Sequence, residues 1–241
     1  MARSGFALWF RRLVSPFGSV DSRFPIPDLL GSRFPLLSPR PRKVSDEEVF
    51  AAAHRATMRL APSELTLAEI AAEAGVTAGA LAQRFGSKRE LLLALARAAA
   101  ASSGDFMTQL KAAHRSPLAA VRAYAECMAQ LARSPAALAR NLAYLQIDLA
   151  DPDFREQLAV QARATRAGLV DLLSIAVQRG ELERDTDVAS LARTVEAMVS
   201  GSMMTWAFYA EGPAEKWIRD DVNAVLAPHL AARRARRARR R

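Results

Sequence analysis

The chain has 241 residues, of which 51% are hydrophobic and 24% charged, and its net charge is +9 at pH 7. This hydrophobic content excludes a disordered chain, and the abundance of alanine, with 50 residues, favours helices over sheets. The longest run without a charged residue, 197–210, has 14 residues and is too short to span a bilayer. We therefore expect a soluble, all-α protein.

The sequence contains few of the residues on which enzymes and metalloproteins depend. Cys127 is the single cysteine, so no intramolecular disulfide forms, and the three histidines are far apart and have no cysteine companions. No glycine-rich phosphate loop, H-E-x-x-H pattern or serine elbow is present. We therefore predict no catalytic residues, no metal site and no cofactor.

The positive charge lies at the two ends of the chain. Residues 1–43 carry eight basic and two acidic residues together with six of the twelve prolines, and the 232–241 tail contains seven arginines. Residues 44–232 are left with a net charge of −4. We predict a disordered leader over 1–43, the alternative being a start codon placed too far upstream, and a solvated tail. The apolar run at 6–10 is too short for a signal peptide, so a cytoplasmic protein is expected.

Four predicted helices follow the leader, each beginning at a hydroxyl residue that can cap it. The first covers about 46–60, the second ends at Gly75, the third has eight residues and ends at Gly86, and the fourth runs to a break near 102–104. The predicted N-caps are Ser45, Thr66, Thr77 and Ser87.

The second and third helices form a predicted helix-turn-helix unit. A tight turn from Gly75 to Thr77 joins them, and the third helix is free to enter a major groove of DNA. Ala71 is small where the two helices must cross, and Val76 in the turn can fill the small core between them. The alternative from periodicity alone is an ordinary hairpin of two helices within a bundle.

Residues 65–95, LTLAEIAAEAGVTAGALAQRFGSKRELLLAL, resemble the DNA-binding segment of the TetR family of bacterial transcriptional repressors. The matching positions are Thr66, Ile70, Ala71, Ala74, Gly75, Val76, Thr77, Gly79, Phe85, Ser87, Lys88 and Leu91. Ala82 departs from the family, which usually has a phosphate-binding tyrosine there. The resemblance implies an N-terminal helix-turn-helix domain, placed at 44–101, and a larger helical ligand-binding and dimerisation domain, placed at 102–231.

Recognition helices read bases near their N-terminus and bind phosphates at their flanks. Gln83 can pair with adenine, whereas Ala78 can only touch a thymine methyl group. Lys88 sits unfavourably at the positive end of a helix dipole, which suits a phosphate opposite it, as the resemblance also implies. The predicted DNA-binding residues are Thr66, Thr77, Ala78, Gly79, Gln83, Arg84 and Lys88. The alternative for each polar side chain is a solvated or capping residue.

The second half of the chain is predicted to be helical throughout. Ser116-Pro117, Ser134-Pro135 and Asp151-Pro152 each place a capping residue before a proline at the first helical position. The predicted helices cover about 105–113, 117–132, 135–149, 152–179, 186–209 and 214–231. Gly180 is expected to end the longest of them.

Apolar residues of these helices either pack in the core or line a ligand cavity between helices. The predicted cavity residues are Phe106, Tyr124, Met128, Tyr144, Ile147 and Trp206. The resemblance implies such a pocket, whose ligand releases DNA.

The resemblance also implies that the last two long helices pair with those of a second copy. Their apolar stripes are Leu191, Val195, Met198, Ser202 and Trp206 on one helix and Ile218, Val222, Val225 and Leu226 on the other. The alternative is packing within one chain.

These observations predict a homodimeric repressor that binds palindromic double-stranded DNA and is released by an unidentified small-molecule effector. No membrane partner is expected. Two alternatives remain open, because residues 44–101 hold six basic and seven acidic residues and so have no general positive field. The chain could be a helical interaction protein that has lost operator binding, or a sequence-independent binder of nucleic acid that acts through its arginine-rich ends.

Overall fold

The computed structural model describes residues 44–231, so the predicted leader at 1–43 and the arginine-rich tail at 232–241 lie outside the described residues. Within 44–231 the protein has nine α-helices and no β-strand, and a lone bridge joins Leu182 to Leu230. The predicted all-α fold is confirmed. In this part of the chain, no helix is both long enough and apolar enough to cross a lipid bilayer.

The helices succeed one another with short connections. They are α1 (Asp46–Thr57), α2 (Leu67–Ala74), α3 (Ala78–Phe85), α4 (Lys88–Ala113), α5 (Pro117–Ala129), α6 (Pro135–Ala150), α7 (Pro152–Gln178), α8 (Val188–Tyr209) and α9 (Ala214–Leu226). Short 3-10 turns follow α5, at Gln130–Ala132, and α9, at Ala227–His229.

The four helix starts predicted within 44–101 are confirmed, because the capping side chains are in place. The hydroxyls of Ser45, Thr66, Thr77 and Ser87 each accept a hydrogen bond from the backbone N–H three residues later, at 3.1–3.2 Å. At α1 the Glu48 carboxylate also accepts from the backbone N–H of Ser45, at 2.9 Å. Each cap satisfies a backbone donor that the first helical turn leaves unpaired.

The predicted break at 102–104 is wrong, because α4 is one helix of 26 residues. The Ser102 and Ser103 hydroxyls donate to the carbonyl oxygens of Ala98 and Ala99, at 2.7 and 2.9 Å. These serines therefore satisfy their polar groups within the helix. The predicted helices ending near 103 and starting at 105 are thus a single element, and the predicted domain boundary at 101/102 falls inside it.

Three other predicted ends are too late. Helix α1 ends at Thr57 rather than near residue 60, and Pro62 disfavours a helical conformation at the residue before it. Helices α5 and α9 each finish in a 3-10 turn, and Pro228 lacks the N–H that would continue α9. Gly180, at φ +64°, follows α7 as predicted.

The helices build two hydrophobic cores. The smaller one lies among α1 to α4 and contains Val49, Ile70, Leu81 and Leu91, all at most 2% exposed. The larger one lies among α4 to α9 and is closed by Phe106, Tyr124, Leu169, Leu173, Val195, Trp206 and Ile218. Helix α4 contributes to both cores and so joins the two halves of the protein.

Helices α4 and α7 run side by side in the same direction. Arg89 contacts Asp151 at the starts of the two helices, and Lys111 contacts Asp171 at 2.7 Å near their ends. Between these points the helices approach closely at Gly168, where a Cβ atom would lie 2.6 Å from Cβ and Cγ of Met107. Any larger residue at 168 would push α4 away from α7.

The apolar stripes that were candidates for a dimer interface face the core of their own chain. Leu191, Val195, Ile218 and Val222 are at most 3% exposed, and Ser202 donates to Asp221 at 2.6 Å. Packing within one chain therefore accounts for these side chains. The opposite face of α8 is exposed and carries Ala197, Ser200, Gly201, Met204 and Phe208.

We expect Gly168→Ala to lower the free energy of unfolding by about 1–3 kcal/mol, because the added methyl overpacks the contact with Met107. Gly104→Ala is the matched control, since nothing lies within 4 Å of a Cβ at that exposed helical position. It should stabilise α4 by about 0.5–1 kcal/mol. Urea unfolding of both variants measures the difference, and equal effects would contradict the assigned close approach.

Candidate nucleic-acid interface

The turn between α2 and α3 sets the angle between these two helices. Gly75 has φ +70°, a left-handed conformation that glycine adopts without a steric penalty, as the sequence predicted. The backbone N–H of Val76 then donates to the carbonyl oxygen of Ala71 at 3.0 Å, and the Val76 side chain packs on the small core. The turn is thereby held from both its backbone and its side chain.

Helix α3 has one inward and one outward face. Leu81 is buried and Phe85 is half-buried against the small core, which fixes the helix by its inner face. The outer face is exposed and nearly uncharged. It presents Gly79, Ala80, Ala82 and Gln83, with Thr77 exposed at its start and Ala78 half-buried beside it. Thr66, the cap of α2, is exposed as well.

Arg84 does not lie with these residues. Its guanidinium donates to the carbonyl oxygen of Val44 at 2.7 Å, forms an ion pair with Asp46 and lies 5.4 Å from the ring centroid of Phe85. The side chain therefore ties the end of α3 to the start of α1. A contact between Arg84 and DNA would have to replace these bonds.

The structure gives the unfavourable position of Lys88 an intramolecular explanation. Its ammonium donates to the carbonyl oxygens of Pro62 and Leu65, at 3.1 and 2.7 Å, in the loop that follows α1. Two of its three N–H groups are thus used inside the domain. The predicted phosphate contact would fall to the third.

Most basic side chains in this region are engaged by the protein itself. Arg55 and Arg59 both bind the carboxylate of Glu73, and the hydrogen bond from Arg55 lowers the pKa of that carboxyl group. With Arg84, Lys88 and Arg89, five of the six basic residues in 44–101 have partners within the chain. The outer face of α3 therefore offers methyl groups and one amide rather than a cluster of cations.

Sequence reasoning missed the contacts that join this domain to the second half. The Tyr144 hydroxyl donates to the carbonyl oxygen of Leu60 at 2.9 Å, and Arg140 Nε donates to that of Met58 at 3.2 Å. Arg89 binds Asp151 and Asp153. The partners are 62 to 84 positions apart in the chain, so no local pattern signals these pairs.

The residues predicted to line a ligand cavity do not form one group. Phe106, Tyr124 and Trp206 are buried in the large core with half-buried Met128 against them. Tyr144 and Ile147 lie apart from this group: Tyr144 packs on the small core, and Ile147 is 46% exposed. Helical periodicity identifies apolar positions but does not say which neighbour covers each of them.

A cavity of about 270 Å³ opens elsewhere, between the start of α8 and the end of α9. It is lined by residues that include Asp187, Ser190, Thr194, Val225, Pro228 and His229, none of which belongs to the predicted lining. Among residues 44–231, no group of three or more His, Cys, Asp and Glu side chains is arranged to hold a metal ion.

Helix α1 also contains a half-buried histidine, His54, that titrates in an accessible range. Burial, aided by the neighbouring Arg55, lowers the pKa of His54 from 6.5 to about 4. Between these values the unfolded imidazole takes up a proton that the native one does not, so stability falls as the pH falls. We expect the free energy of unfolding to drop by about 2 kcal/mol between pH 7 and pH 5 from this group.

Urea unfolding at several pH values measures this dependence. The variant His54→Gln should lose that part of the slope whatever its stability at pH 7, and His114→Gln, which replaces the histidine just after α4, is the control. An unchanged slope in His54→Gln would show that another group is responsible.

Comparison with known families matches both halves of the chain. The family described as bacterial regulatory proteins, tetR family, matches residues 49–95, which hold the helix-turn-helix unit. The family described as tetracyclin repressor-like, C-terminal domain, matches residues 141–222. Together the two matches cover more than half of the chain. No curated protein matches the sequence significantly.

Solved structures share the fold at low sequence identity. A TetR transcription regulator from Haloarcula marismortui is 18% identical with a TM-score of 0.61, covering 77% of this chain and 97% of its own. SmeT, the repressor of a Stenotrophomonas maltophilia multidrug efflux pump, is 20% identical with a TM-score of 0.55, covering 79% and 92%. FadR from Bacillus subtilis, solved with stearoyl-CoA, is 16% identical with a TM-score of 0.55, covering 74% and 96%.

Proposed function

Because the chain belongs to the tetR family of bacterial regulatory proteins, we propose that it is a transcriptional repressor that binds a palindromic operator as a homodimer in the cytoplasm. A small molecule releases it from DNA. The observation that carries this proposal is the outer face of α3, which is exposed from Thr77 to Gln83 apart from Leu81 and the half-buried Ala78. An α-helix presented in this way fits the major groove.

The proposed contacts divide into those that read bases and those that hold phosphates. Gln83 pairs with adenine. The methyl groups of the two alanines that flank Gly79 in the sequence approach thymine methyl groups. Thr66 and Thr77, at helix N-termini, offer hydroxyl and backbone N–H donors to phosphates. The third N–H of Lys88 does the same.

The remaining electrostatic attraction comes from the ends of the chain. Residues 1–43 have a net charge of +6, and the tail adds seven arginines. Such segments neutralise phosphates without reading sequence, and they make the affinity depend on salt concentration. In this proposal α3 reads the bases and the chain ends neutralise phosphates, so the domain binds DNA although most of its own cations are paired within the protein.

The exposed face of α8 supports a homodimer. Ala197, Ser200 and Gly201 are small and exposed, so two such helices could approach closely, and Met204 and Phe208 extend the same face with apolar area, Phe208 being 75% exposed. Two α3 helices about 34–36 Å apart would match successive major grooves. An effector that binds more tightly to a dimer with a different spacing between its two α3 helices lowers the affinity for DNA. The size of this effect is set by the difference in effector affinity between the two conformations.

We expect Gln83→Ala to remove the preference for one base pair in each half-site while leaving the affinity for random DNA nearly unchanged. One lost bidentate contact costs about 1–3 kcal/mol of discrimination. Selection from a random DNA library, followed by affinity measurements on single-base variants of the selected site, tests this. Gln161→Ala, an exposed glutamine on α7, is the matched control.

The selection experiment also separates the alternatives. Failure of the wild-type chain to enrich any sequence while it still binds DNA would favour a sequence-independent binder. Absence of DNA binding would favour a helical interaction protein. An unchanged base preference in Gln83→Ala would reassign the base-reading residue.

We expect Gly201→Arg to convert the dimer to a monomer, because it places a long charged side chain on the small-residue face of α8. Gly104→Arg is the control, since it makes the same substitution at an exposed helical glycine of α4 with open space around it. Sedimentation velocity at micromolar concentration distinguishes the two. A wild-type monomer, or a dimer that persists in Gly201→Arg, would contradict this interface.

A further inference from the structure

We propose that Arg89 is a positioning residue whose contacts with Asp151 and Asp153 fix the orientation of the recognition helix relative to the second half of the protein. The effect on DNA rests on the proposed function, whereas the geometry can be tested without DNA. We call this contact, formed by Arg89, Asp151 and Asp153, the ionic clamp. Its side chains come from the first turn of α4 and the start of α7.

The ionic clamp has a defined geometry. Arg89 Nε and Nη2 donate to the two carboxylate oxygens of Asp151, both at 2.9 Å, and Nη2 also donates to Asp153 at 2.6 Å. Nη1 donates to Glu90 at 2.8 Å, and the guanidinium lies 5.7 Å from the ring centroid of buried Phe154. A bidentate pair of this kind constrains direction as well as distance.

The same corner of the second half contacts the helix-turn-helix domain at a second point. Arg140 and Tyr144, on α6, bind carbonyl oxygens in the loop that follows α1. Lys88, one residue before Arg89, binds two further carbonyl oxygens of this loop. A displacement of the α6–α7 corner would therefore move the α1 loop and the start of α4 together.

Stability alone does not account for the ionic clamp. The side chains of Arg89, Asp151 and Asp153 are 43%, 23% and 54% exposed, and ion pairs that solvent reaches add little to the free energy of folding. A close contact between α4 and α7 lies farther along, at Met107 and Gly168. Without the clamp, the first turn of α4 could separate from α7 while the large core stayed intact, and α3 would move with it.

The geometry is tested on the full chain by pulsed electron paramagnetic resonance, which measures the distance between two spin labels. Spin labels are attached at Ala82→Cys on α3 and Arg163→Cys on α7, both exposed, in a Cys127→Ala background. We expect the distance distribution between the labels to broaden or shift in Arg89→Ala. The variant Asp151→Asn/Asp153→Asn should change the distance distribution in the same way, although it alters the net charge in the opposite sense. Asparagine at 151 can still cap α7, so the helix start is kept.

The matched control is Arg97→Ala, which removes an exposed arginine from the same helix. It should leave the distance distribution unchanged. A distribution that is the same in the wild type, Arg89→Ala and Asp151→Asn/Asp153→Asn would overturn the proposal.

The consequence for DNA is measured with palindromes whose half-sites are moved apart in steps of one base pair. We expect the wild type to prefer one spacing by about fivefold or more, and both clamp variants to lose that preference. A different outcome would overturn the proposal. If Arg89→Ala lowers the affinity for every half-site spacing by the same factor, while Asp151→Asn/Asp153→Asn binds like the wild type, then Arg89 is a phosphate contact. If the wild type binds no palindrome, the distance measurement still decides the clamp, and only the operator-binding proposal fails.

Discussion

The parallel packing of α4 on α7 is the constraint on which the other contacts depend. Helix α4 belongs to both cores, so its position relative to α7 decides where the helix-turn-helix domain stands. The absence of a side chain at Gly168 permits the close approach to Met107, and two ion-paired contacts lie toward the ends of the pair. Apolar contact provides the attraction, and the ion pairs specify register and direction.

Within the helix-turn-helix domain, polar groups are used mainly to build the domain. Hydroxyl caps satisfy the helix starts, Lys88 satisfies carbonyl oxygens of a loop, and Arg84 joins α3 to α1. These bonds make a small domain with a modest core rigid, because each removes an unpaired donor or acceptor. They leave an outer face on α3 whose chemistry is methyl groups and a single amide, a surface suited to reading shape and thymine methyl groups more than to attracting phosphates.

The second half shows an uneven distribution of packing. Helix α6 buries only Ala137 and Leu138, and Leu145, Ile147 and Leu149 are 37–52% exposed. The middle of the helix is nevertheless held against the helix-turn-helix domain through Arg140 and Tyr144. An element with few buried apolar contacts costs little free energy to displace. Its position beside the ionic clamp therefore links a helix with few buried residues to the orientation of α3.

The sequence by itself determined the features that depend on neighbouring residues. Caps placed the helix starts, Gly75 placed the turn, and the spacing of apolar residues identified the helix-turn-helix unit and its family resemblance. Only the tertiary structure decided that α4 continues through Ser102, that Lys88 binds a loop, and that Arg89 meets Asp151. The same holds for the stripes of α8 and α9, which fold inward. Local signals act within a few residues, whereas these contacts join residues far apart in the chain, whose meeting depends on how whole helices pack.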